Sequence, residues 1–463
     1  MLRSTAAWVL LLVLAQPALA AAPGEPATAG EPMTAAERGY RNLVETPYLP
    51  PDFDQEVFDA AWRHWPEPLR SEAEKATPDE RRQMAFARYG LTPRVDEPTK
   101  PLQYVVDEQG QWTMNCFACH GGLVPAANGG SLTWPGAPNS QFALQTLTEE
   151  TRLAKAELGR SFSRMDLGSA FIPLGTTNGT TNAVMFGVVL LGLRDADLNF
   201  DGSRGIAKMT HHDMDAPAWW HFKRKKMLYI DGFAAKGHRG LMQFMLVRSN
   251  GPEKFRQWES EFRDVFAYIS SLEPPKYPFP IDRDLAALGE TAFRRVCADC
   301  HGTYGSPASY PERLVPIDVV NTDRVRLDAL SPAHRDAYGK SWFADYGKLA
   351  VVDEPDGYVA PPLYGVWASA PYFHNGSVPT LWHVLHPESR PAVWKRSDSG
   401  YDSDRLGPRI ETFEQLPPEI TAGWQKRQYF ETRAFGKSAQ GHDFPSELSA
   451  EEKRAVLEYL KTL

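Results

Sequence analysis

Apolar positions recur with helical spacing most clearly in two parts of this chain. Phe262, Val265, Phe266 and Ile269 share one helical face, and Val456, Tyr459, Leu460 and Leu463 share another. The segments Val265 to Leu272 and Val456 to Leu463 align with Val, Tyr and Leu at matching places, offset by 191 residues. The chain therefore reads as two distant copies of one unit, each ending in an amphipathic helix. Ser449 with Glu452 forms a capping box that starts the last helix. Ala183 to Leu193 is an apolar run of 11 residues, well short of the about 20 that cross a bilayer, so a buried helix is predicted. Gly289, Phe293 and Cys297 recur every fourth residue and mark a further helix, with glycine permitting a close helix crossing. The stretches between are rich in proline and glycine. They predict long ordered loops, few strands and a mainly α architecture.

Composition shifts divide the chain. Arg3, the apolar stretch Ala6 to Ala15 and Ala18-Leu19-Ala20 form a secretory signal over residues 1–20, cleaved after Ala20. Residues 21–33 read as a flexible leader. A first folded region is expected over 34–272 and a second over 281–463. They are joined by the proline-rich linker 273–280, which holds four prolines in eight residues. The mature protein is thus expected in the periplasm or outside the cell, with no membrane span. The net charge of -8 argues against a nucleic-acid partner.

All four cysteines fall in two C-x-x-C-H motifs, Cys116-Phe-Ala-Cys119-His120 and Cys297-Ala-Asp-Cys300-His301. This is the spacing of covalent haem attachment: two thiols add to the haem vinyl groups, and the adjacent histidine becomes the proximal iron ligand. A four-cysteine zinc site or a thioredoxin-like redox pair would need no histidine after both pairs. Attachment after export also agrees with the signal. Two covalently bound haem c groups are expected, one in each of two cytochrome c-like domains.

A distal ligand for the second haem is expected from the loop before the last helix, where His442 stands, with His374, His383 and His386 as rivals. The position 191 residues earlier is Gly251. The first haem therefore lacks the equivalent ligand, although Met242, Met245 and His238 lie nearby. An open iron binds O2 or peroxide, whereas a six-coordinate iron mainly moves electrons. This division points to a haem-dependent oxidoreductase.

Ala370-Pro-Tyr-Phe-His374-Asn-Gly-Ser-Val-Pro-Thr-Leu381 resembles a hallmark of the dihaem cytochrome c peroxidase/MauG superfamily. Within it, the chain is similar to the rubber oxygenase and fatty-acid dioxygenase branch. The similarity lies in Asn115 to Gly122, Thr181 to Phe186, Pro217 to His221, Ser271 to Pro278, Pro361 to Trp367 and Gly441 to the C-terminus. The resemblance implies an N-terminal active haem that handles O2 or peroxide and a C-terminal electron-transfer haem with two histidine ligands. On that pattern His120 and His301 are proximal ligands and His442 is the second ligand of the C-terminal haem. Trp219, Trp220 and Phe233 match an aromatic wall over the active haem. The chain is shorter than those oxygenases, whose extra loops shape the substrate tunnel, so the substrate is not carried over. An apolar or unsaturated substrate suits an oxygenase. A small electron-donor cytochrome suits the alternative, a dihaem peroxidase reducing hydrogen peroxide. A third reading is a non-enzymatic dihaem electron carrier.

Peroxide cleavage calls for a distal acid or base, for which Asp213, Asp215 and Asp231 are available. An apolar wall favours O2 addition to an alkene instead. Lys223 to Lys226 offers either a basic rim or a solvated charge run. Met209 to Met214 offers either a reversible distal ligand or an exposed loop. Asp197-x-Asn199-x-Asp201-Gly202 resembles half of a Ca2+ loop, but its twelfth position is Lys208 rather than glutamate, which argues against Ca2+.

Overall fold

The structure is a computed structural model that describes residues 32–204 and 209–463. The expected signal and most of the leader lie outside the described residues, as does Lys208. Residues 35–463 form one compact unit, and the short described stretch before it is irregular.

Two helix pairs organise this unit. The helix Ala35–Glu45 crosses Glu259–Ser271, and Arg283–Val296 crosses Ala450–Leu460. Each pair buries its apolar stripe: Leu43 and Val44 with Phe262, Val265 and Ile269 in one, Ala292 and Phe293 with Val456, Tyr459 and Leu460 in the other. Both crossings depend on a glycine. A Cβ on Gly39 would lie 2.1 Å from the Asp264 carbonyl oxygen, and one on Gly289 would lie 1.9 Å from that of Ala455. Asp264 and Ala455 carry the 191-residue offset seen between the terminal helices. The duplication thus extends to the Ala35–Glu45 helix, which sequence periodicity did not single out. The Ser449–Glu452 capping box is formed, and Asp282 caps the Arg283–Val296 helix.

The first copy is interrupted between its opening helix and Cys116. The insertion holds a three-stranded antiparallel sheet, with Gln111–Met114 between Phe53–Asp54 and Tyr104–Val106. It also holds the helices Gln55–Ala60, Leu69–Lys75 and Pro78–Tyr89. Its own core has Phe58 stacked on Trp112 at 4.3 Å, and the helix Leu144–Glu157 packs against it. More strands occur than the sequence predicted. Most are two to five residues long, too short to show alternation. The longest hairpin pairs Val393–Asp402 with Gly407–Phe413. The apolar run of the sequence does form a helix, Ala183–Gly192.

The segment 273–280 is extended but not free. Tyr277 meets the Trp367 ring edge-on at 5.2 Å, and Phe279 stacks on Tyr401. It does not separate two bodies, because the halves share a core. Leu330, Tyr338, Trp342 and Phe343 of the second half pack with Trp219, Phe233 and Phe255 of the first. Polar ties reinforce the join: Lys437 meets Asp213 at 3.1 Å in a buried pair, and Arg427 meets Glu149 at 3.1 Å in a half-buried one. Among the described residues, no helix is long and apolar enough to cross a membrane.

Two expectations follow. Alanine normally favours a helix interior over glycine by about 1 kcal/mol. At Gly289 the clash with a backbone carbonyl outweighs this, so Gly289→Ala should lower unfolding stability by about 1–3 kcal/mol in denaturant titrations. Burial alone would raise the Asp213 carboxyl, but Lys437 and the Thr176 hydrogen bonds outweigh it and hold Asp213 below its usual 3.8. A depressed carboxylate stabilises the fold above its unfolded value and loses that contribution as pH falls through the folded value. Asp213→Asn should therefore be less stable than wild type at pH 7. The gap should narrow below about pH 4 when unfolding is measured across pH.

Candidate functional site

The two C-x-x-C-H motifs occupy equivalent short helical turns, Phe117–His120 and Ala298–His301. In both, Nδ1 of the histidine lies against a prolyl carbonyl: His120 donates to Pro217 O at 3.0 Å, and His301 donates to Pro361 O at 2.8 Å. A carbonyl can only accept, so each bond fixes the tautomer with the proton on Nδ1 and leaves Nε2 bare. Burial keeps both rings neutral, pushing His120 down to about 4 and His301 below its usual value. A neutral, oriented imidazole with a free Nε2 is the form that binds metal.

The cysteines are unpaired. Burial pushes the Cys116 and Cys297 thiols up to about 12 and Cys119 up to about 11. A thioredoxin-like pair needs a depressed thiol, so these are poor redox thiolates. Among the described residues no cluster of three or more His, Cys, Asp or Glu side chains could hold a bare metal ion.

The two sites differ across from the proximal histidine. The His442 ring centre lies 6.1 Å from that of His301. With metal–imidazole bonds of about 2 Å on each side and the nitrogen-to-centre distances added, two imidazoles sharing one metal stand about 6 Å apart. Burial pushes His442 down to about 3, so it too is neutral. The residues therefore fit a six-coordinate haem iron. His442 has φ +54°, a strained conformation for a non-glycine residue, imposed by its loop. The loop is tied from several directions. Arg390 Nη1 donates to the carbonyls of Ala439 and Gly441 at 2.7 and 2.6 Å. Asn375 Nδ2 donates to those of Gly436 and Ser438, and the Ser377 hydroxyl donates to Ser438. The His442 amide donates to Val320 O at 2.6 Å. At Gly441, with φ +78°, a Cβ would lie 2.2 Å from the Asn321 carbonyl carbon. Aromatic rings of Phe373 and Phe444 flank the His442 imidazole.

The rival histidines are engaged elsewhere. His383 bonds Thr380, His386 bonds Trp382 O and stacks on the Trp382 ring, and His374 packs on Tyr358. The hallmark histidine thus sits in a motif whose neighbours, Asn375 and Ser377, hold the His442 loop.

Opposite His120 the picture differs. Its one ring contact among the described residues is Trp219, stacked at 4.6 Å with 24° between planes. This corrects the placement that the resemblance implied for Trp219. The indole lies against the proximal imidazole instead of forming a wall across from it, because Pro217, two residues earlier, is tethered to His120. Trp220 is fully buried and turns toward the second half, its Nε1–H donating to Tyr364 O at 2.7 Å. Phe233 is buried between Tyr229 and Tyr338. His238 pairs with Glu259, and Met242 and Met245 are buried in the shared core. His212 and Asp213 are buried as well, so Met209 to Met214 is no exposed loop.

The basic run is pinned. Lys223 pairs with Glu273, Arg224 lies 3.5 Å over the Tyr364 ring, and Lys225 donates to Tyr229 O. Asp197 accepts from the Tyr346 hydroxyl, and Asp195 caps its own turn. Of the three carboxylates, Asp213 and Asp231 sit in ion pairs. Burial pushes Asp215, near Cys119, well above its usual value.

Residues 357–395 match the model of the RoxA-like, cytochrome c-like family. This cytochrome c-like segment contains Pro361, Asn375, Ser377 and Arg390, the groups that orient His301 and hold the His442 loop. Two curated proteins of Sinorhizobium fredii (strain NBRC 101917 / NGR234) are similar to the chain, both uncharacterized. One, y4iM, is 25% identical over 291 residues, covering 54% of this chain and 64% of that protein. The other, y4iJ, is 28% identical over 261 residues, covering 42% of each. The chain thus spans less than two thirds of the length of either relative.

Sequence reasoning did not find Pro217, Pro361, Asn375, Ser377 or Arg390. The prolines had a signal, since each opens a stretch quoted for its resemblance. Arg390 had none, because its role depends on carbonyls about fifty residues later. Asn375→Ala is expected to leave the buried Gly436 carbonyl unpaired and the Ser438 carbonyl with Ser377 alone, lowering unfolding stability by about 1–3 kcal/mol in a denaturant titration. The control Asn128→Ala, on an exposed turn, should change it little.

Proposed function

We propose that this chain is an exported dihaem c-type cytochrome oxidoreductase of the rubber oxygenase-like branch. In this reading the haem on Cys116, Cys119 and His120 is open to O2 or peroxide. The haem on Cys297, Cys300, His301 and His442 is six-coordinate and serves electron transfer. Haem c supplies an iron that binds O2 or peroxide at an open position and exchanges electrons where both axial positions are filled. The observation that carries the reading is the asymmetry between the sites: His301 faces an imidazole at 6.1 Å, whereas His120 has only Trp219 in ring contact among the described residues.

The chain's own residues support a division of labour. Pro217 and Pro361 orient the two proximal imidazoles. Trp219 stacks on His120, and its neighbour Trp220 donates to the Tyr364 carbonyl. The Tyr364 ring meets Tyr304 edge-on at 4.8 Å, and the Tyr304 hydroxyl donates to His301 O at 2.9 Å. A continuous aromatic and hydrogen-bonded path thus joins the two sites and suits electron passage.

An apolar substrate and O2 suit the first site better than peroxide cleavage. Thr181 hydrogen-bonds Cys119 and leads directly into the helix Ala183–Gly192. That helix is wholly apolar, and Ala183, Phe186 and Leu190 on one face are half-buried. Of the carboxylates that could move a proton for peroxide, Asp213 and Asp231 are held by Lys437, Arg326 and Arg335, and Asp215, near Cys119 and raised by burial, is the acid left to the peroxidase alternative.

The test uses protein matured in the periplasm. Mass spectrometry should find two covalent haems, and the reduced protein should bind one CO per chain. His442→Ala should raise this to two and convert one low-spin haem signal to high spin. No CO binding by wild type would leave an electron carrier. An unchanged spectrum in His442→Ala would refute the ligand assignment. Peroxide turnover with a reduced cytochrome, without O2 uptake on an unsaturated lipid, would favour the peroxidase.

A further inference from the structure

The junction of the two halves contains a buried charge cluster that the site described above does not use. Asp231 is 1% exposed and accepts from two arginines of the second half. Arg326 approaches both its oxygens, at 3.2 and 3.3 Å, and Arg335 Nη2 donates to Oδ2 at 2.7 Å. Both arginines are also 1% exposed. A guanidinium stays charged at any ordinary pH, so two positive charges face one negative charge away from water. Lys225 also acts on Asp231, but its stronger charge partner is Glu312, so the imbalance rests on the two arginines. The other acid acting on Arg335 is Asp353, which is exposed and makes no ion pair with it among the described residues.

The hydrogen bonds show the same deficit. Arg335 Nε donates to Leu330 O at 3.2 Å, but Nη1 is buried and has no partner among the described residues. Among the described residues the nearby His212 Nε2 is likewise buried without a partner. A buried donor left unmet costs about 1–3 kcal/mol, and an unbalanced buried charge costs more. A sequence rarely keeps both in one place unless an anion completes them.

We propose that Arg326 and Arg335 form a carboxylate-binding site at the junction of the halves, completed by a carboxylate that Asp231 alone does not supply. A carboxylate is planar and matches the guanidinium fork. The placement suits two sources. The Arg335 guanidinium lies 5.3 Å over the Phe233 ring, in the core that holds Trp219 and Trp220. Leu327, next to Arg326, packs in a cluster with Tyr358, Cys300 and Phe444, beside the second haem motif. The carboxylate thus has two candidate sources, a haem propionate and the head group of an acid bound at the first site. The propionate source rests on the dihaem reading above, whereas the free-acid source does not.

The experiment uses the full chain matured with 5-aminolevulinate carrying 13C at the carboxyl that becomes the propionates. Redox-difference infrared spectra then read those carboxylates directly. If a propionate fills the site, Arg335→Gln shifts a labelled band and Arg335→Lys, which keeps the charge without the fork, shifts it less. If a free acid fills it, the labelled bands stay put. Oleate added to wild type then changes the haem spectrum saturably, and Arg335→Gln weakens that binding at least tenfold. Arg326→Gln serves as the second variant should Arg335→Gln fail to fold. Labelled bands and oleate affinity that are the same in wild type and every folded variant overturn the site. Fewer than two haems by mass would overturn the dihaem reading and leave the oleate arm to decide this one.

Discussion

A hydrogen bond from an imidazole Nδ1–H to a prolyl carbonyl is the constraint on which both candidate sites depend. It occurs at His120 with Pro217 and at His301 with Pro361. It settles the tautomer and points Nε2 away from the backbone, while partial burial of the ring keeps it neutral. Each bond also fixes where the following chain runs. After Pro217 come Trp219 and Trp220, so one indole must lie on His120 and the other must reach toward the second half. After Pro361 come Tyr364 and the loop of Asn375 and Ser377, which holds the chain segment carrying His442.

The two halves repeat a helix crossing but not a ligand loop. Gly39 and Gly289 admit carbonyls at equivalent positions of the partner helices, so the scaffold is duplicated at the level of backbone contact. The loops that follow have diverged. In the second half, Arg390, Asn375, Ser377 and Val320 converge on a strained turn and aim one imidazole at another. In the first half, the equivalent region caps the helix Pro252–Gln257 at Gly251 and supplies no such side chain. A repeated frame with unequal loops is how one architecture can hold one saturated and one open position.

Ion pairs at the junction restrict the chemistry further. Of the three acids the sequence offers, Asp213 and Asp231 are held by cations from the second half, while Asp215 stays near Cys119. Their charges serve the join between halves, which leaves the neighbourhood of the apolar helix Ala183–Gly192 with fewer free proton donors.

Much of the frame was legible in the sequence. The terminal helices, the capping box at Ser449 and the Gly289 crossing rest on spacing within one helix or one turn, and such spacing is written locally. The short strands of the insertion and the first helix Ala35–Glu45 were not legible, because two to five residues show no period and one weak stripe does not stand out.

The sequence by itself nominated the attachment chemistry, since a cysteine pair followed by histidine is a local pattern whose reactivity needs no distant partner. It also nominated His442 by its distance from the last helix. Only the tertiary structure decided that His442 faces His301 while His374, His383 and His386 are held elsewhere, and that Trp219 lies on His120. The reason is physical: which side chains meet across a cavity depends on how loops far apart in sequence are tied by backbone carbonyls, and no periodicity encodes those ties.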